Sequence, residues 1–301
     1  MRKLCRWLIL ILVVVIALLI WNDAPRNAVS ITAAVLVAVS AIALLNKAPD
    51  KELLKSAGKR DTGLEEFKEL INSGAKINSR DNDGRTPLIL AASRNTSIEA
   101  ISYLIDAGSD LEARDNSGNT PLMAAAMLNP DSGIMNALIK SGANVNAKND
   151  DGNTPLMIAA MFNNNAEVLR MLINGGADVK AKNLYGLTAL HRVSKPDYAA
   201  MLVASGADVN AADSEGHTSL MSAAFGDDSE ILTALLNSGA EVNAQDKKGM
   251  TALMYAAKKS HSENVKILLN YGADKNLKDN NGKTALDYAE SDNIKNIIGK
   301  N

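Results

Sequence analysis

Three histidines, one cysteine and two polar loops are the places in this 301-residue chain where chemistry could be sited. The loop "SRDNDG" at 79–84 offers Asp81 and Asp83 as oxygen ligands ahead of Gly84, the opening of a calcium loop. Such a loop needs a carboxylate at its twelfth position, and Leu90 stands there. The loop "DNNGKTA" at 279–285 ends like a phosphate cradle, but Leu277 occupies the position of the glycine that lets the backbone wrap the phosphates. A lone Cys5 can form no intrachain disulfide and no cysteine-rich zinc site. Its place beside an apolar run leaves a structural role or reversible acylation. His191, His217 and His261 would have to converge, with a nucleophile or a third ligand, to make a catalytic or metal centre.

Whether they converge depends on the elements that carry them, and these repeat. "DNSGNTPLMAAAMLNP" at 115–130 returns as "NDDGNTPLMIAAMFNN" thirty-four residues later. The glycine of that polar turn recurs at Gly84, Gly118, Gly152, Gly186, Gly216, Gly249 and Gly282, at intervals of 34, 34, 34, 30, 33 and 33. A second glycine keeps step at Gly74, Gly108, Gly142, Gly176, Gly206, Gly239 and Gly272. Two markers with one period define an internal repeat. In each unit a threonine, followed by proline at Pro87, Pro121 and Pro155, supplies a capping hydroxyl and a first helical residue whose missing N–H costs nothing. A short alanine-rich helix follows, then a second helix with apolar residues at helical spacing, closed by the second glycine. An extended arm with an Asx-Gly tip leads to the next unit.

These residues resemble the ankyrin repeat, D-x-x-G-x-T-P-L-H-x-A-A followed by a second helix and G-A-D-V-N-A. The resemblance implies a mainly α solenoid of paired antiparallel helices with β-hairpin or loop fingers, here preceded by an N-terminal transmembrane helical hairpin. It places a linker and N-terminal capping repeat at 47–80, six repeats at 81–114, 115–148, 149–182, 183–212, 213–245 and 246–278, and a C-terminal cap at 279–301. Caps are expected because the end faces of a stack meet water. Two departures stand out. The family's histidine is Ile89, Met123, Met157, Met221 or Met254 in five repeats and His191 in one, so apolar packing is expected to do more of the joining. The fourth repeat is short, and "KPD" at 195–197 is expected to start its second helix directly and shrink the loop between its helices.

In such a stack each repeat touches only its neighbours, so His191 and His261 cannot meet. No metal, cofactor, small-molecule substrate or enzymatic activity is expected. A formal charge of −2 gives no basic excess for nucleic acid.

The first 46 residues follow different rules. No charge interrupts the runs at about 7–21 and 28–45, the second long enough to cross a bilayer core, and Trp7 and Trp21 bracket the first as interfacial indoles do. A signal peptide is the competing reading, but no good small-residue cleavage site follows the first run, and Asn22-Asp23-Ala24 is succeeded by Pro25. Eight Lys and Arg flank the two runs against Arg26 alone in the loop, which predicts an inner or plasma membrane protein with both termini and the repeats cytoplasmic. The alternatives are an exported periplasmic or surface protein, and a regulatory subunit of a transporter or channel packed on the small-residue stripe Ser30, Ala34, Ala38.

Ankyrin-like proteins bind protein partners through the fingertips and the concave strip of first helices, so the resemblance implies a protein-binding scaffold. Mapped residue by residue, it assigns as contact positions Arg94, Met127, Leu128, Met161, Phe162, Phe225, Lys258 and Lys259 at first-helix ends. At the fourth tip it assigns Leu184, Tyr185 and Leu187. Phe162 and Phe225 are two of only three phenylalanines in the chain. Interfaces favour aromatic and methionine side chains, whereas packing of Met127, Met161 and Phe162 on one another is the rival use of the same residues.

Overall fold

The computed structural model describes residues 49–94, 97–129 and 131–300. The two apolar runs read as membrane spans lie outside the described residues. Among the described residues no helix is long and apolar enough to cross a membrane.

The chain divides into two compact units, the first ending at Asn116 and the second beginning at Ser117. In the first, helices at 49–57 and Leu64–Asn72 precede the pair Pro87–Arg94 and Ile98–Asp106. Leu53, Ala57, Phe67, Leu88, Ile101 and Leu104 are buried, while Lys51, Glu52 and Lys55 face water. Thr62 pins the turn between the first two helices by donating its hydroxyl to the Ser56 carbonyl at 2.5 Å.

The second unit is a succession of helix pairs. Pro121–Leu128 and Ser132–Lys140 are followed by Pro155–Phe162 and Ala166–Asn174, then by a 3-10 turn Ala189–Arg192 and Pro196–Ala204. Ser219–Phe225 and Ser229–Asn237, Ala252–Lys259 and Ser262–Asn270, and Ala285–Tyr288 and Asp292–Lys300 complete it. First helices pack on first helices and second on second. The fully buried alanines Ala125, Ala126, Ala159, Ala160, Ala224, Ala256 and Ala257 allow the first-helix layer to close up. Thr120 and Thr154 cap their helices by accepting from Met123 N and Met157 N, each with proline at the first position. The methionines at the family's histidine position, Met123, Met157, Met221 and Met254, are buried, as apolar joining requires.

Both glycine series adopt positive φ at every position. At the tips the reason is contact as well as conformation. The N–H of Asp150 donates to Ser117 O, Leu184 to Asp151 O, Ser214 to Tyr185 O, Lys247 to Glu215 O and Asn280 to Lys248 O, and in the first unit Asn116 donates to Asp83 O. Each tip is thus bonded, backbone to backbone, to the one before it. A Cβ on Gly152 would lie 2.9 Å from Leu184 N, in the path of that join.

Two expectations are corrected. Among the described residues the fingers form no β-hairpins; a single bridge, Ala212 to Thr218, is all the ladder present. Two backbone bonds close such a turn, as Asn149 N to Asn153 O and Gly152 N to Asn149 O do, and one joins it to the next, which is too few for a strand. The fourth repeat also loses its residues elsewhere than predicted. Pro196 does start the second helix, but three residues separate its helices, as in the repeat before. The missing four come from the first helix, which shrinks from the eight residues of Pro155–Phe162 to the four of Ala189–Arg192, about one helical turn. Lys195 and Pro196 consequently cap the second helix instead of ending the first, Lys195 being held extended ahead of the proline.

Candidate functional site

Helices of eight residues ending in Met-Leu and Met-Phe place their last large side chains beyond the buried alanine face. Met127, Met161 and Phe162 come together there, lining with Met157, Ile158 and Arg192 a groove of about 340 Å³ walled by the tip residues Asn149, Asp151 and Asn153. Phe162 is 50% exposed. Arg192, from the shortened turn of the next repeat, donates to Met161 Sδ at 3.7 Å and closes the groove's side. These side chains share one groove, and Met161 and Phe162 are exposed in it.

The carbonyls at these helix ends are held by the following repeat. Asn163, itself buried, donates from Nδ2 to Ala126 O and Asn129 O. The short repeat performs the same task on Pro155–Phe162 with Ser194 N and Oγ on Ala160 O, Tyr198 Oη on Asn163 O and Lys195 Nζ on Asn164 O. Asn264 Nδ2 caps Gly226 O after Ser219–Phe225.

Phe225 lies in a different groove, of about 310 Å³, with His217, Met221, Ser222 and Tyr255. Its ring meets Tyr255 edge to face with centroids 6.1 Å apart, and Lys259 Nζ sits 4.2 Å above it. Lys258 and Lys283 both stand over Tyr288, at 5.7 and 5.5 Å. Beneath the groove His217 bridges two successive tips. Its Nδ1 is 3.1 Å from Asp213 Oδ2, and its Nε2 is 3.4 Å from Asp246 Oδ2 and 3.1 Å from Tyr255 Oη. Tyr255 donates to Asp246 at 2.6 Å; burial, then the carboxylate, pushes its phenol well up. Burial pushes the Asp213 carboxyl up too, but N–H donation from His217 and Glu215 outweighs it and holds the group below its ordinary range.

The remaining candidates do not join these grooves. Leu184 and Tyr185 are exposed at the fourth tip, Leu184 at 71%, and Leu187 is half-buried. Leu128 is exposed beside the first groove without lining it, and Arg94 is exposed at the end of a helix of the first unit. Tyr255, Tyr288 and Arg192 were not singled out, and His217 was weighed only for a catalytic or metal centre. The readable signal was a tyrosine nine residues after the tip aspartate in successive repeats, Asp246 to Tyr255 and Asp279 to Tyr288. Among the described residues no group of three His, Cys, Asp or Glu side chains could hold a metal ion.

His191 keeps the histidine role the other repeats have given up. Its Nδ1 accepts from Thr188 N at 3.1 Å, and its Nε2 lies 3.0 Å from His217 O in the next repeat. Burial pushes its pKa down, favouring the neutral ring these two bonds require.

Stacked helix pairs with alanine-lined first helices and backbone-joined tips define a helical repeat protein. A family model described as ankyrin repeats, in three copies, matches residues 54–149, 128–213, 156–246 and 220–298, and the chain belongs to the ankyrin-repeat family. No curated protein matches the chain. Ankyrin repeats suggest a protein–protein interaction role, and proteins of this kind are generally non-enzymatic interaction modules.

Proposed function

We propose that the chain is a protein-binding scaffold tethered to a membrane by the apolar runs at 7–21 and 28–45, with its repeats on the cytoplasmic side. The binding half of this reading is supported by one observation above others: Met127, Met161 and Phe162 line a common groove yet leave Phe162 half exposed. Large apolar side chains gathered at a concave site, unlike singly scattered ones, mark a contact surface. Their carbonyl ends are fixed by the next repeat, so the surface is ordered before a partner arrives, which lowers the cost of binding.

The tethering half rests on the sequence, in the length of the runs and the eight-to-one distribution of Lys and Arg. Cysteines introduced at Asn27 and Ser291 in a Cys5→Ser chain should label from opposite sides of intact cells. Labelling of Ser291→Cys from outside would replace the cytoplasmic reading with the exported one. Capture from native membranes with the full chain, compared with a Phe162→Ala chain, tests the binding half; an identical set of captured proteins would refute it.

A further inference from the structure

The groove at Phe225 differs from the groove at Phe162 in charge. Asp150 and Asp151 occupy the tip of Phe162's own repeat, whereas the tip of Phe225's repeat carries Ser214 and Glu215 and the tip that follows it carries Lys247 and Lys248. Glu215 and Asp227 are exposed, but the other carboxylates of this end are engaged inward: Asp213 and Asp246 by His217 and Tyr255, Asp279 by Tyr288 and the N–H of Lys283, and Asp287 by Thr284. The cations point the other way. Lys248, Lys258, Lys259 and Lys283 are exposed, and none forms an ion pair with a carboxylate among the described residues. Three of the four are held over aromatic rings, Lys259 on Phe225 and Lys258 and Lys283 on Tyr288. A lysine lying against a ring has already surrendered part of its rotamer freedom, so pairing it with an incoming anion costs less than pairing a free one.

We propose that the groove lined by His217, Met221, Ser222, Phe225 and Tyr255 takes an acidic peptide segment carrying one large apolar side chain. The apolar group seats beside Phe225, and the flanking carboxylates pair with Lys258, Lys259, Lys248 and Lys283. This rests on the protein-binding reading but assigns a second contact with its own partner chemistry. An anionic lipid surface would satisfy the same lysines. The peptide is favoured because an apolar ring 49% exposed in a groove of about 310 Å³ fits one side chain better than a plane of headgroups.

The test uses the full chain and three labelled twelve-residue peptides read by fluorescence anisotropy. The first is rich in Asp and Glu around a central Phe, the second replaces that Phe by Ala, and the third reverses every charge. The acidic Phe peptide should bind tightest, and should weaken on going from roughly 0.05 to 0.5 M salt as exposed ion pairs are screened. The paired substitution Lys258→Gln and Lys259→Gln should weaken it about tenfold, and Phe225→Ala by a similar factor. Thermal unfolding of both variants checks that the fold is intact. Equal binding of the charge-reversed peptide, or indifference to both variants, overturns the proposal. So does lysine-dependent binding of phosphatidylserine vesicles, over phosphatidylcholine ones, without peptide binding. Phe162→Ala should leave the acidic peptide's affinity unchanged, so failure here and failure of the Phe162 surface are read separately.

Discussion

Replacing Phe162 by Ala separates a presented side chain from a packed one, and the structure sets the scale. A phenylalanine that is half exposed keeps roughly half of the 150–250 Å² it could bury, about 75–125 Å². At about 25 cal/mol per Å² this is worth some 2–3 kcal/mol as an upper bound, since the unfolded chain is itself partly compact. Alanine retains part of that area, so the substitution should cost about 1–2 kcal/mol of folding free energy. Leu156, in the same helix and 1% exposed, provides the comparison: Leu156→Ala should cost about 3 kcal/mol or more. Urea unfolding of the full chain, followed by circular dichroism, gives both values. Affinity for a partner captured through this groove should fall by about 2 kcal/mol, near thirtyfold. A stability loss in Phe162→Ala equal to that of Leu156→Ala, with affinity unmoved, would refute the argument that exposure at this helix end serves binding.

Three further outcomes can be measured on the same chain. Gly152→Ala should be more destabilising than Gly282→Ala by over about 1 kcal/mol. The two share φ near +78° and +77°, but only the first has a neighbour within 4 Å of the added methyl group, and urea midpoints decide it. Asn163→Ala should cost about 2 kcal/mol by stranding the buried carbonyls of Ala126 and Asn129, whereas Asn164→Ala, at an exposed site, should shift the midpoint by less than about 0.5 kcal/mol. His191 fixes the sign of a pH effect. Its folded pKa lies below its unfolded value near 6.5, so its contribution is complete above that pH and is lost as pH falls toward the folded pKa. Stability should decline as pH falls below about 6.5, and the decline should flatten in His191→Gln; an unchanged slope would refute the assignment.

The sequence made the repeat legible because its markers act locally. A positive φ excludes side chains, so the tip and turn glycines recur wherever the backbone bends that way, and Thr-Pro writes a helix start into adjacent residues. What it concealed depends on residues a whole repeat apart. Nothing near Asn163 announces that its amide reaches Ala126 and Asn129, and nothing near Phe225 announces Lys259 above its ring. The fourth repeat was misread for a related reason: its length showed that about a turn was missing, but proline at the next helix start is compatible with losing either loop or helix. The fingers could be read as hairpins or as loops because an Asx-Gly turn is shared by both, and among the described residues they are loops. Phe162 and Phe225 were read as one set of first-helix ends, whereas the structure gives each its own groove.

The tip-to-tip joins have a consequence for how such a chain can change in copy number. Their donors are the peptide groups of Asn116, Asp150, Leu184, Ser214, Lys247 and Asn280, side chains with little in common, and their acceptors are equally varied carbonyls. Some tips add a side-chain bond, as Asn116 Nδ2 to Asn82 O, Lys247 Nζ to Ser214 O and Asn280 Nδ2 to Lys247 O do, but the main-chain bond itself does not register which residue supplies it. Duplicating or deleting one whole unit, for instance 149–182, brings the same kind of N–H against the same kind of carbonyl at the new boundary, whereas an insertion of half a unit brings none. Gain or loss of a whole unit across the similar stretches 115–128 and 149–162, identical at nine of fourteen positions, would therefore yield chains that keep their backbone register while changing the number of first-helix ends.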